Sequence, residues 1–247
     1  MRQHFSEIDS TNRWLRDNCD RCTHGFVADA DFQTAGKGQA TNRWESARGE
    51  NLLFSLLLEP TKVPVAQQFL LSELVALATT DTLHELLGQE IRIKWPNDIY
   101  AGDCKLCGIL IETLLNGNQM AKAIVGIGLN VNQTAFVSDA PNPISMQQIA
   151  GRSFDREQVL QLLTTRILDY YDQFSIVQAS QWQQRYANAL YRHTGLHPFR
   201  LPNGKTFRAA IDRIEPTGHL VLRNEKGILQ TFAFKEVQFV VEASINH

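Results

Sequence analysis

Lys94-Trp-Pro-Asn-Asp98-Ile-Tyr-Ala-Gly-Asp-Cys-Lys105-Leu-Cys-Gly108 is the stretch on which the fold of this chain turns. The apolar run Ile91–Trp95 ends at Pro96, which lacks a backbone donor, and Asn97-Asp98 favours a tight turn. A second extended run, Gly108–Leu115, follows. The spacing predicts a hairpin carrying Lys94, Asp98 and Lys105 near its connecting end. A lysine held beside a polar turn suits a reaction between two anions, because one ammonium group neutralises both as they approach. Mixed-charge hairpins are also common as solvated surface, where a lysine contributes little, so the segment needs support from its surroundings.

Upstream, Asp9 or Ser10 is placed to cap a helix through Trp14 and Leu15. Phe26–Phe32 alternates as a strand, and Asn51–Glu59 reads as a strand buried on both faces. Val65–Leu87 has helical apolar spacing and Gly88 stops it. Downstream, Met120–Asn132 is a strand joined to the previous one by a turn at Asn116-Gly117. Helices are expected at Phe154–Gln173 and Ser180–Tyr191. From Gly195 to Val241 the texture changes to short alternating strands with turns at Asn203-Gly204, Thr217-Gly218 and Lys226-Gly227. That pattern predicts an α/β domain over residues 1–192, followed over 193–247 by a small antiparallel barrel of the SH3-like kind.

Composition narrows the function classes. The 247 residues carry a net charge of −2, so no global basic field attracts nucleic acid. The longest apolar stretch, Leu52–Leu58, is strand-sized, and the first ten residues lack the basic-then-apolar order of a signal peptide. A cytoplasmic protein with no membrane partner is the expectation. The four cysteines form two C-x-x-C pairs, Cys19/Cys22 and Cys104/Cys107, the count for a structural zinc. Their setting argues for plain thiols instead: the first pair sits at a helix end, and the second runs into a strand where residues three apart face opposite ways.

Two glycine-bearing segments remain. Gln33-Thr-Ala-Gly36-Lys37-Gly38-Gln39-Ala-Thr41-Asn42-Arg43-Trp44 follows a strand, and closely spaced glycines let backbone amides surround an anion. It is neither a dinucleotide fingerprint, which needs a third glycine and a following helix, nor a Walker A loop. Val125-Gly126-Ile-Gly128-Leu-Asn130-Val-Asn132 puts two glycines inside an apolar strand, a sign of close approach by another group. One of its two asparagine amides needs a buried partner.

Taken in order, Ser10-Thr11-Asn12, the Q-T-A-G-K-G-Q loop, R-W-E-S-A-R-G-E-N-L-L-F-S, K-W-P-N-D with K-L-C-G-I-L-I-E, and G-I-G-L-N-V-N resemble the biotin protein ligases. The resemblance implies a mixed-sheet, class II synthetase-like α/β core with a C-terminal SH3-like barrel. It implies that biotin and ATP, with Mg²⁺, form biotinyl-5′-AMP, and that biotin then passes to a lysine of a biotin carboxyl carrier protein. Ser10, Thr11 and Gln33, with Asn12 beside them, would hold the ureido ring of biotin. Gly36, Lys37, Gly38 and Gln39 would wrap the biotin tail and phosphate, with Lys37 counted among the catalytic residues. Lys105 would bridge the biotin carboxylate and the α-phosphate, and Gly108 would leave room for ligand. Trp44, Asn97 and Asn130 would lie near the nucleotide. Asp98 would hold Mg²⁺ or orient the incoming lysine.

The chain departs from that pattern at Lys37 and Gln39, where family members often carry arginine, and at Thr41 and Asn42; Arg43 is placed to compensate. Lysine lacks the rigid fork of arginine, so looser retention of the adenylate is expected. Ser10 comes too early for a preceding helix-turn-helix domain, so a monofunctional form without DNA binding is expected. The resemblance also brings in a sheet edge for homodimerisation or carrier docking. Lipoate ligases and octanoyl transferases are the nearest alternative, and a non-catalytic binding module the more distant one.

Overall fold

Leu52–Leu58 (β3) is buried at every position, and its side chains alternate between two layers. Phe54, Leu56 and Leu58 join the main core, whereas Leu57 joins a smaller cluster with Leu15, Cys19, Cys22 and Ile124. The structure is a computed structural model and describes residues 1–38, 44–137 and 142–241. Around β3 it builds a seven-stranded mixed sheet in the order β1-β2-β3-β7-β6-β5-β4. These strands are Arg2–Phe5 (β1), Val27–Ala30 (β2), Ile91–Lys94 (β4), Asp98–Ala101 (β5), Cys104–Asn116 (β6) and Gln119–Leu129 (β7). Only β1 and β2 run parallel; every other neighbouring pair is antiparallel.

One face of the sheet is covered by Phe69–Leu87 (α2), with Arg156–Gln173 (α4) and Ala179–Ala189 (α5) packed against it. On the other face, the one helix among the described residues is the short Thr11–Asn18 (α1), set against β2, β3 and β7. Val125, Ile127 and Leu129 point into the helix layer, so Gly126 and Gly128 fall on the α1 face. That face is therefore hollow where the helix layer is full.

A second, five-stranded antiparallel sheet comprises His197–Arg200 (β8), Thr206–Ile214 (β9), Leu220–Asn224 (β10), Leu229–Phe232 (β11) and Gln238–Phe239 (β12). Its turn glycines, Gly204, Gly218 and Gly227, have φ of 84, 88 and 78°, the left-handed region that L side chains avoid. Gly117 and Gly88 do the same at the β6–β7 turn and the end of α2.

Several expectations need correction. The central segment is not one hairpin but three strands. Asp98–Ala101 pairs with both neighbours, and a second turn at Gly102-Asp103 separates it from β6. Four residues with one polar end are too short to show periodicity. The helix expected from Val65 starts at Phe69, after a single 3₁₀ turn at Val65–Gln67. A short helix at Met146–Ala150 (α3), with a capping box from Ser145 and Gln148, was not anticipated. The extended run assigned to Met120–Asn132 ends at Leu129, so Asn130 and Asn132 lie beyond the strand.

Candidate active site

Ser10 sits at the N-cap of α1, where its hydroxyl accepts from the Arg13 amide at 3.4 Å. This cap brings Ser10, Thr11 and Asn12, all buried, onto the hollow face of the sheet. Thr11 donates to Gln33 Oε1 through its amide (2.7 Å) and its hydroxyl (3.1 Å). Ser55, the polar interruption of β3, donates to Asn12 Oδ1 at 2.5 Å, and its oxygen lies 2.7 Å from Thr11 Oγ1. Asn12 in turn donates to Glu112 at 3.0 Å. A connected network thus holds the short polar groups at one end of the site in fixed orientations. A Cβ at Gly126 would collide with the Asn12 amide, which is why that position carries none.

The cationic centre comes from β5 and β6. Lys105 Nζ lies 2.7 Å from Asp98 Oδ1, with both side chains roughly three-quarters buried. The Lys105 backbone is fixed by two further bonds: its amide donates to the Asn142 carbonyl at 2.8 Å, and its carbonyl accepts from Ile144 at 3.0 Å. Lys94 is also on the cleft wall, but its amine donates to the Tyr100 hydroxyl at 3.0 Å and lies over the Tyr100 and Phe239 rings. Burial lowers its pKa, a shift that the Asp98 carboxylate partly offsets.

Trp44 forms the roof. Its ring rests on Gly108 and Gly128; a Cβ at Gly108 would come within 2.9 Å of Cζ3, and one at Gly128 would overlap the indole. Gly108 therefore makes room for an aromatic side chain as well as bordering the cleft. Lys105 Nζ is 5.6 Å from the centroid of that ring. The Trp44 indole nitrogen finds no acceptor among the described residues. The Trp44 amide donates to the Gly36 carbonyl at 3.2 Å. Asn97 spends its amide on the Ile109 carbonyl, and Asn130, 3% exposed, donates to the Ile144 carbonyl at 3.1 Å. Asn132 is satisfied by both polar groups of the Phe154 backbone.

Most of these groups border one cleft of ≈ 1050 Å³. The structure brings Ser10, Thr11, Asn12, Gln33, Lys37 and Gly38 to it from the expected set. Trp44, Asn97, Asp98, Lys105, Gly108 and Asn130 border it as well. Gly36 contributes through its carbonyl to Trp44. Gln39, Thr41, Asn42 and Arg43 lie outside the described residues. Sequence reasoning missed Glu45 and Phe136, and it missed Phe234 and Lys235, in the turn between β11 and β12, and Phe239 of β12 altogether. Ser55 had a legible signal as a hydroxyl inside an apolar strand; Phe234, Lys235 and Phe239 had none, because only the packing of distant segments brings them near.

The sequence model of the biotin/lipoate A/B protein ligase family matches residues 5–130. The chain belongs to this family. Among relatives of the biotin/lipoate A/B ligases, the bifunctional ligase/repressor BirA of Salmonella typhimurium is 31% identical over 208 residues, covering 83% of this chain and 59% of that protein. The biotin–[acetyl-CoA-carboxylase] ligase of Mycobacterium tuberculosis is 31% identical over 153 residues, covering 59% of this chain and 55% of that one. The chain thus spans less than two thirds of either relative's length. The biotin protein ligase of Aquifex aeolicus, solved with biotin and ATP, superposes with a TM-score of 0.79 at 25% identity, covering 97% of this chain and 99% of that one. The family model thus covers strands of the large mixed sheet, and the Aquifex aeolicus structure matches both that sheet and the second antiparallel one.

Proposed function

We propose that this chain is an ATP-dependent biotin protein ligase, carried above all by Lys105 and Asp98 meeting at 2.7 Å in a cleft shared by the α1 cap and Trp44. A carboxylate must attack a polyanion to be activated, and the repulsion is offset by fixed cations and amides. Lys105 would neutralise the biotin carboxylate and the α-phosphate as the new acyl–phosphate bond forms and pyrophosphate leaves. The network of Ser10, Thr11, Asn12 and Gln33 would hold the ureido ring, and Trp44 and Asn130 would flank the nucleotide. Lys37 and Gly38 border the cleft, and the biotin tail and phosphate would run past them. In the second step an acceptor lysine attacks the acyl carbonyl and AMP leaves; Asp98 is the carboxylate placed to orient that amine and take its proton.

Magnesium supplies charge neutralisation at phosphate oxygens when bound. The described residues contain no cluster of three or more metal-ligating side chains. The donor set, with Asp98 as one carboxylate, fits an ion brought in largely by the triphosphate rather than a protein-built cage. The acceptor would be a carboxylase's biotin carrier domain. It, or a second copy in a homodimer, would approach a sheet edge. Leu190–Tyr191 covers β4 through a parallel bridge at Ile93, which leaves β1 as the freer edge. The second sheet would form a domain over residues 193–247, and the working compartment would be the cytoplasm; no helix among the described residues is long and apolar enough to cross a membrane.

The test is incubation with biotin, Mg-ATP and a carrier domain. The carrier should gain one biotin, and lipoate or octanoate in place of biotin should release no pyrophosphate. Lys105→Ala should slow pyrophosphate release by roughly 10²–10³-fold, the scale of losing one preorganised charge-stabilising donor. Unchanged release would refute the assignment.

A further inference from the structure

We propose that Lys235, in the turn between β11 and β12 of the second sheet, is a binding residue for the polyphosphate of the nucleotide, completing the cleft from a wall that the first sheet does not supply. The assignment rests on the ligase reading above and adds a residue to it. Lys235 borders the same cleft as Lys105 and Lys37 but arrives from the opposite unit. Its backbone has φ 71°, an uncommon conformation for a residue with a Cβ, and such strain persists where surrounding structure enforces it.

That enforcement is visible. The turn Ala233–Glu236 is closed twice, by the Glu236 amide donating to the Ala233 carbonyl at 3.1 Å and by the Ala233 amide donating to the Glu236 carboxylate at 2.7 Å. The carboxylate next in sequence is thus engaged by the backbone. Lys235 makes no ion pair among the described residues, and its amine lies 5.9 Å from the Phe234 ring centroid. Phe234 packs edge-on against Trp95, at 6.3 Å between ring centroids. Trp95 immediately precedes the Pro96–Asp98 turn, and its indole donates to the Gly218 carbonyl at 2.9 Å. The second sheet is therefore fastened at two points to the residue that leads into the Asp98 turn. A flexible cation beside that anchor borders the site with its donors uncommitted among the described residues, whereas Lys94 is committed to Tyr100 and Lys105 to Asp98. A point charge on a flexible stem suits a phosphate chain better than a planar ligand.

The experiment compares the full-length protein with Lys235→Gln and Lys235→Arg. Pyrophosphate release in the presence of biotin gives KM for ATP; competition by inorganic pyrophosphate gives its inhibition constant; thermal shift gives biotin binding. In Lys235→Gln, KM for ATP and the pyrophosphate inhibition constant should both rise about tenfold, the size of one charge-assisted hydrogen bond. Lys235→Arg should restore most of both, and biotin binding should not move. Unchanged ATP and pyrophosphate constants would overturn the proposal, and so would a parallel loss of biotin binding, which would mark a structural role. Failure of the unsubstituted protein to release pyrophosphate from biotin and ATP would instead overturn the ligase reading, and direct calorimetric titration of both proteins with pyrophosphate would still decide Lys235.

Discussion

Lys105 was legible as a cation near a Pro-Asn-Asp turn, and the structure joins it to Asp98 even though the intervening segment folds as three strands rather than two. A residue pair can be read from sequence when a short turn forces proximity; Phe234 and Lys235 could not, because no local rule ties residue 235 to residue 95. Glu73 illustrates a different kind of hidden residue. It sits at a position that reads as apolar helix, is 3% exposed, and leaves Oε2 with no donor among the described residues. Burial raises its pKa to about 8. The folded state therefore keeps a proton that the unfolded chain releases near pH 4.5. Stability should fall as pH rises between about 4.5 and about 8, and level off above that. Glu73→Gln should leave the melting temperature at pH 5 nearly unchanged and raise it at pH 8.5, flattening the profile. A pH-independent difference between the two proteins would show that Glu73 does not titrate in this way.

Glycines in β6 and β7 shape the site at the scale of elements. Their presence inside apolar strands signalled close approach, and the approaching groups are the Asn12 amide at Gly126 and the Trp44 indole at Gly128. The sequence identified the notch but not its occupants, since Asn12 and Trp44 reach it from far along the chain. Gly128→Ala should force Trp44 off the sheet while leaving the α1 network intact. The expected result is a several-fold rise in KM for ATP with little change in biotin affinity, measured by pyrophosphate release and by thermal shift. Equal losses in both would mean that the two ends of the cleft are not independent. The strand ends predicted from pattern drifted by a few residues, as at Asn130, because hydrogen-bonded extension continues or stops according to partners that periodicity does not record.

The whole molecule is organised around the turn between β4 and β5. On one side the Tyr186 hydroxyl donates to the Pro96 carbonyl at 3.3 Å, with Phe69 edge-on to the Tyr186 ring. On the other, Trp95 reaches Gly218, against whose Cα the same Phe69 ring lies so closely that a Cβ there would collide with it. The turn pattern at Thr217-Gly218 announced a second sheet, but nothing in composition announced where that sheet would sit. Trp95→Phe keeps the ring and deletes the donor. It should lower kcat more than it raises KM for biotin, and it should speed amide hydrogen exchange in β9 and β10; exchange rates identical to those of the unsubstituted protein would remove the indole from this role. The shared seat of Phe69 also bears on how the chain comes apart. A side chain that belongs at once to the helix layer and to a turn of the smaller sheet gives neither a private melting point, so heating should produce one cooperative endotherm in place of two.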